Sequence, residues 1–158
     1  MQPSEKFIFL EYTNLEIIIP QKAAYSAVFC DTSCLIKDQD GNRKTIFNSQ
    51  WIPYINIDEC VSFIDKTQKK IDIKTCIIIH NHSLYEKEKY FGIVTSSDCK
   101  VKEVRFSDFS PFSDYYNKVV EKNGIIACYF NKKETSKIGY LIDLEKFLFA
   151  IKQNGGIL

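Results

Sequence analysis

The chain of 158 residues lacks the features that mark several common classes of protein. Lysine and arginine total 21 and aspartate and glutamate total 20, so the net charge is +1. This balance removes the main physical argument for nucleic-acid binding, which needs a concentrated basic face, and leaves only a local basic patch as an alternative. No apolar run is long enough to cross a bilayer, and the N-terminal stretch, which Glu11 interrupts, does not resemble a signal peptide. We therefore expect a cytoplasmic protein without direct membrane insertion, in which the six cysteines are thiols.

Patterns typical of catalytic and cofactor sites are also scarce. Only six glycines are present, and neither of the usual glycine-rich phosphate-binding patterns occurs. Asp58 and Glu59 are neighbouring carboxylates, but side chains at adjacent positions point apart, which suits two-carboxylate chemistry poorly. The sequence predicts no catalytic set, no bound cofactor and no enzyme.

Cysteine and histidine provide the material for an alternative hypothesis. Cys30 and Cys34 lie four positions apart, and His80 and His82 lie two positions apart, so that the four side chains offer zinc ligands. A cysteine in contact with a histidine is also the arrangement of a nucleophile pair. The spacing fits the usual zinc motifs poorly, which favours the cysteines as small core residues. The alternative is a small cytosolic protein that binds metal or uses a reactive cysteine.

A sequence pattern that occurs twice is the most informative feature present. Tyr54–Val61 (YINIDECV) and Leu141–Leu148 (LIDLEKFL) each have the pattern of a strand that turns directly into a short helix. A repeated supersecondary unit predicts two similar halves that pack against each other. A pair of strands is predicted before each copy, at residues 6–12 and 15–20 and at residues 74–80 and 90–95.

Local signals define the remaining elements. Asn56 and Asp143 occupy equivalent positions in the two copies, where an acceptor side chain caps the following turn. Apolar residues at helical spacing predict a short helix over Gln21–Phe29. Ser110-Pro111 predicts the start of another helix, with Gly124 just past its end. The total is eight to ten short strands with two or three short helices, which suggests small barrels or a sandwich.

Five segments carry a resemblance to a known family. They are KFIFLEYTNLEIIIP, IFNSQWIPYINI, KTCIIIHN, YFGIVTSSDCKV and IGYLIDLEKFL, in that order along the chain. The second is similar to NLRG-x-(V/I)-x-P-V-(I/V)-(D/N)-L and the fourth to GI-V-V-D-x-V, which are motifs of the CheW family of chemotaxis coupling proteins. Asn48-Ser49 replaces the Arg-Gly of the first motif, and Ser96 replaces the acidic residue of the second.

The resemblance implies a mainly β fold of two small five-stranded SH3-like β-barrels that share a hydrophobic interface, with two or three short helices. One subdomain is expected at roughly 15–82, and the other at roughly 83–150 together with the N-terminal strand 6–12. The implied function is that of a non-enzymatic signal-transduction adaptor, which couples chemoreceptors to a CheA-type histidine kinase. Its implied partners are the regulatory domain of the kinase and the cytoplasmic tip of the receptor.

Candidate partner-binding residues are expected on the repeat-related strands and on the first predicted helix. An apolar groove between the two halves would receive a receptor helix. The candidates are Tyr25, Val28, Asn48, Trp51, Tyr54, Ile78 and Val94.

Overall fold

The computed structural model describes residues 3–64, 72–80, 89–112, 122–130 and 137–153. These residues fold mainly into β-strands, as predicted, and belong to two compact units. The first unit contains Met1–Lys22 and Cys99–Ile157, and the second contains Ala23–Asp98. Strands are numbered below in chain order.

Six strands of the first unit form one sheet. Their order across the sheet is β10-β11-β12-β2-β1-β9, and every neighbouring pair is antiparallel except β12 and β2. The end strands β9 and β10 follow each other in the chain with only a three-residue 3-10 turn between them, so the sheet must curl back on itself as in a small barrel. The strands are β1 (Ser4–Glu11), β2 (Leu15–Pro20), β9 (Cys99–Arg105), β10 (Phe109–Ser110), β11 (Ile125–Phe130) and β12 (Ile138–Ile142).

Six strands of the second unit repeat this arrangement. Their order is β3-β7-β8-β6-β5-β4, and the parallel pair is β6 with β8. A 3-10 turn, Thr32–Cys34, again joins the two end strands, β3 and β4. The strands are β3 (Ala24–Phe29), β4 (Leu35–Lys37), β5 (Arg43–Phe47), β6 (Gln50–Asn56), β7 (Thr75–His80) and β8 (Tyr90–Thr95).

The two predicted strand-to-helix copies both form. Strand β6 leads into helix α1 (Ile57–Ile64), and β12 leads into helix α2 (Leu144–Gln153). Asn56 Oδ1 accepts a hydrogen bond from the Asp58 backbone N–H at 3.0 Å, and Asp143 Oδ1 accepts one from the Lys146 N–H at 3.2 Å. The predicted capping role of this position is therefore confirmed in both copies.

Each unit combines one strand-to-helix copy with the hairpin that precedes the other copy in the chain. Hairpin β1–β2 precedes the first copy but pairs with β9 and β12, whereas hairpin β7–β8 pairs with β3 and β6. The structure thus divides the chain after Lys22 and after Asp98, while the sequence places the boundaries near residues 15 and 82. Both strands of a hairpin stay in one unit because they bond to each other along their whole length.

The core of each unit comes from inward-facing residues of these strands. Both faces of β1 are buried, since Phe7 and Phe9 lie in the core cluster while Ile8 and Leu10 are also buried. Strand β1 is an interior strand, paired with β2 on one side and β9 on the other. The cluster of the second unit consists of Cys30, Ile52, Ile73, Cys76, Ile78 and Val94.

The predicted helix over Gln21–Phe29 is wrong. Gln21–Ala23 form a single 3-10 turn, and Ala24–Phe29 form strand β3, which pairs with β7 along its length. Tyrosine, valine and phenylalanine suit a pleated surface, and the ladder to β7 satisfies the backbone groups that a helix would have bonded internally. Most of the helix predicted after Ser110-Pro111, residues 113–121, lies outside the described residues.

Helix α1 is attached to the sheet by its first turn. The Asp58 carboxylate accepts hydrogen bonds from the Thr95 hydroxyl and from the Ser96 backbone N–H, both at 2.9 Å. The Glu59 carboxylate forms a bidentate pair with the Arg43 guanidinium at 2.8 and 2.9 Å. The ends of β8 and β5 are therefore held against the start of the helix.

Candidate protein-binding site

Three large apolar side chains form a ladder across the outer face of β4, β5 and β6. Ile36, Ile46 and Trp51 are 37%, 45% and 45% exposed. Ile46 lies directly opposite Trp51, and Ile36 lies directly opposite Lys44. Lys44 and Ile46 are two positions apart on β5 and so point to the same face of the sheet, which places Ile36, Ile46 and Trp51 on one face. We call Ile36, Ile46 and Trp51 the apolar ladder. Exposed apolar groups that lie together, rather than singly, are typical of a surface that binds protein.

The β5–β6 hairpin turns beside this ladder. Phe47 pairs with Gln50, so the loop contains only Asn48 and Ser49. Both loop residues have positive φ, 48° and 62°, which is the backbone of a type I′ turn. Asparagine tolerates this conformation, whereas serine adopts it at a cost.

We expect Ser49→Gly to stabilise the protein. Glycine adopts φ near 62° without a steric penalty, so the free energy of unfolding should rise by about 0.5–1 kcal/mol. Urea titration of the two proteins provides the measurement. The control is Ser26→Gly within β3, where glycine should instead destabilise. A Ser49→Gly variant less stable than the parent would contradict the type I′ assignment.

A cluster of aromatic rings lies at the start of β3. Tyr25 packs against Phe47, His80 and Tyr90, with ring centroids 6.1, 4.8 and 5.0 Å away. Its hydrogen bond with Tyr90 is the main cause that raises the pKa of the Tyr25 hydroxyl. The Lys89 ammonium lies 5.4 Å from the Tyr90 ring centroid. Tyr25 is half exposed, so part of this cluster lies at the surface. The cluster combines apolar ring faces with hydroxyl groups, as protein interfaces often do.

The predicted partner-binding residues have different environments. Trp51 belongs to the apolar ladder, Asn48 is exposed in the adjoining turn, and Tyr25 is exposed in the aromatic cluster. Val28 and Tyr54 are partly buried against the core of the second unit, and burial is the main cause that raises the pKa of Tyr54.

Ile78 and Val94 need a correction, because both side chains are fully buried in the core of the second unit. They face inward on β7 and β8 and are not available to a partner. Sequence reasoning also missed Ile36 and Ile46 of the ladder. The signal that would have found them is the two-residue alternation on either side of the Asp40-Gly41 turn.

Of the residues in the alternative hypothesis, Cys30, Cys34 and His80 do not come together in a zinc site. Cys30 and Cys34 follow the last residue of β3, which pairs with the first residue of β7. His80 is the last residue of β7, at the opposite end of that strand. At about 3.3 Å per residue, the six residues of β7 separate His80 from the cysteines by about 20 Å, far more than a zinc bond of about 2 Å. His82 lies outside the described residues, and those residues include no group of three potential metal ligands.

Two other buried thiols, those of Cys60 and Cys76, are poor nucleophiles. Burial raises the pKa of Cys60 and of Cys76 to about 12, so both remain protonated near neutral pH.

Among the described residues, no helix is long and apolar enough to span a membrane.

Comparison with known proteins shows a likeness of fold. No family model matches the chain, and no curated protein matches its sequence. The structure is similar to the crystal structure of the scaffolding protein TtCheW from Thermoanaerobacter tengcongensis, with a TM-score of 0.58 over 90% of each chain and 11% sequence identity. The chain has a CheW-like fold, in which two curled six-stranded sheets repeat one topology.

Proposed function

We propose that the protein is a non-enzymatic signal-transduction adaptor that couples chemoreceptors to a CheA-type histidine kinase. The observation that carries the proposal is the likeness in fold to a scaffolding protein over 90% of both chains. The adaptor would work in the cytoplasm, bound to the regulatory domain of the kinase and to the cytoplasmic tip of the receptor.

The apolar ladder is the surface that we assign to the kinase. An exposed tryptophan beside isoleucine is the kind of group that contributes most of the binding energy at an interface. Asn48 stands beside it where the resembled motif has arginine, and asparagine lacks the guanidinium donors that bind a carboxylate in pairs. Affinity on this side should therefore depend on apolar burial and should change little with salt concentration.

We expect Trp51→Ala to weaken binding to the kinase regulatory domain about 30-fold, which corresponds to ~2 kcal/mol. Isothermal titration calorimetry of the full chain with that domain measures the change. The matched control is Phe149→Ala on α2 of the first unit, because Phe149 is 53% exposed and also aromatic. Its affinity for the kinase domain should equal that of the parent.

Two results would count against the proposal at different levels. Equal losses for Trp51→Ala and Phe149→Ala would reject the ladder as the kinase surface. Absence of binding by the parent protein to either the kinase domain or the receptor tip, at tens of micromolar, would reject the adaptor function itself.

A further inference from the structure

Three of the six cysteines lie together in the second unit. Cys30 and Cys76 are buried members of its core cluster, and Cys34 packs against that cluster while remaining partly exposed. Cys30 and Cys34 flank the two ends of the segment that joins β3 to β4. A zinc site does not explain why these cysteines lie together, because His80 is at the far end of β7.

The thiols of Cys30 and Cys34 are neighbours across a closed turn. The Cys34 backbone N–H donates to the Asp31 carbonyl oxygen at 3.0 Å and holds the turn closed. The Cys30 thiol donates to the same carbonyl oxygen at 3.6 Å, and the Cys34 thiol donates to Asp31 Oδ1 at 3.8 Å. Both thiols therefore hydrogen-bond to the same residue, Asp31, and both lie at one core cluster. Because one turn residue holds both thiols, rotation of the two side chains brings the sulfur atoms towards the disulfide bond length of about 2.05 Å.

The two thiols differ in access. Cys34 is partly exposed, whereas Cys30 is buried. Burial is the main cause that raises the pKa of Cys30, so this thiol is the slower nucleophile of the pair. A thiol open to solvent beside a second thiol is the arrangement in which a first oxidation product is resolved by the neighbour.

We propose that Cys30 and Cys34 are a redox-modification site, at which hydrogen peroxide converts the two thiols into one intramolecular disulfide. In the first step the Cys34 sulfur attacks a peroxide oxygen and the O–O bond breaks, which leaves a sulfenic acid on Cys34 and releases one water. In the second step the Cys30 sulfur attacks the Cys34 sulfur, an S–S bond forms, the S–O bond breaks and a second water leaves. Two thiols are oxidised and one peroxide is reduced.

The disulfide would fix the connection between the two end strands of the curled sheet. The Cys34 carbonyl already accepts a hydrogen bond from the Thr45 hydroxyl of β5 at 3.0 Å. Strand β4 follows at once and carries Ile36 of the apolar ladder. The proposal concerns this site alone and does not depend on which partner the ladder binds.

Peptide mapping tests the proposal directly. The full chain is treated with hydrogen peroxide below its unfolding transition, the remaining thiols are blocked, and the protein is digested with trypsin. Cleavage after Lys22 and Lys37 leaves Cys30 and Cys34 in one peptide, so their disulfide appears as an unblocked peptide about 2 Da lighter than its dithiol form. We expect this product to exceed any other disulfide about tenfold, to be reversed by dithiothreitol, and to reduce the free thiols from six to four.

Two variants complete the test. Cys34→Ser should abolish the product, and circular dichroism verifies that the variant is folded. Cys128→Ser, in the first unit, should leave the amount unchanged. A link from Cys30 to Cys76, sulfinic or sulfonic acid on Cys34 without a disulfide, or formation that is only as fast as global unfolding would each overturn the proposal. Mapping of the parent protein decides among these results even if Cys34→Ser does not fold.

Discussion

Replacing Gly124 with alanine is expected to lower the free energy of unfolding by about 3 kcal/mol or more, the largest effect anticipated for a single methyl group in this chain. A Cβ at this position would lie 2.3 Å from the Phe147 backbone N and 2.6 Å from its Cα. Gly124 has φ of +79°, and its carbonyl accepts a hydrogen bond from the Asp143 N–H at 2.7 Å. The turn before β11 therefore lies directly against the first turn of α2, where backbone atoms cannot move aside.

Gly41→Ala is the matched control for this prediction. Gly41 has nearly the same φ, +82°, but a Cβ there would meet no atom within 4 Å. The control thus carries the cost of the backbone conformation alone, about 1 kcal/mol. Urea denaturation of both variants separates conformational strain from steric clash. Equal losses for the two variants would show that the contact with α2 contributes nothing.

Removal of the Asp58 carboxylate is expected to have the second largest effect. Asp58→Ala takes away the acceptor of the Ser96 N–H and of the Thr95 hydroxyl, and both of these residues are buried. A buried donor left without a partner costs about 1–3 kcal/mol, so the free energy of unfolding should fall by about 3 kcal/mol. Thermal or urea denaturation measures this loss.

The control is Asp143→Ala in the equivalent copy. The hydrogen bond from the Lys146 N–H to Asp143 Oδ1 is exposed, and loss of such a cap costs about 1 kcal/mol. Asp58→Asn should fall between the two, because the amide retains one acceptor oxygen. Similar losses for Asp58→Ala and Asp143→Ala would mean that α1 is capped but not anchored to β8 by its aspartate.

Local patterns predicted several features because the interactions behind them span only a few residues. The caps of Asn56 and Asp143 join groups two and three positions apart. The strand-to-helix change follows from a switch in apolar period at those same positions. The burial of both faces of β1 follows from its unbroken apolar run.

Other features were not predictable in this way because strand pairing overrides local preference. Val28 and Phe29 have helical spacing to Tyr25, yet β7, about fifty residues away in the chain, pairs with them as a strand. The candidate partner-binding residues show the same limit. Trp51 and Ile78 are both apolar strand residues, but Trp51 is exposed in the apolar ladder and Ile78 is buried in the core. The face of the sheet to which each side chain points decides this difference.

The sequence by itself determined that the protein is a duplicated β structure with a helix after each copy, because turn residues, caps and apolar periods act over short stretches of chain. The tertiary structure alone decided that the hairpins are exchanged between the units, that β3 is a strand, and that His80 lies far from Cys30 and Cys34. These outcomes depend on the free energy of contacts between residues distant in the chain, which no local pattern encodes.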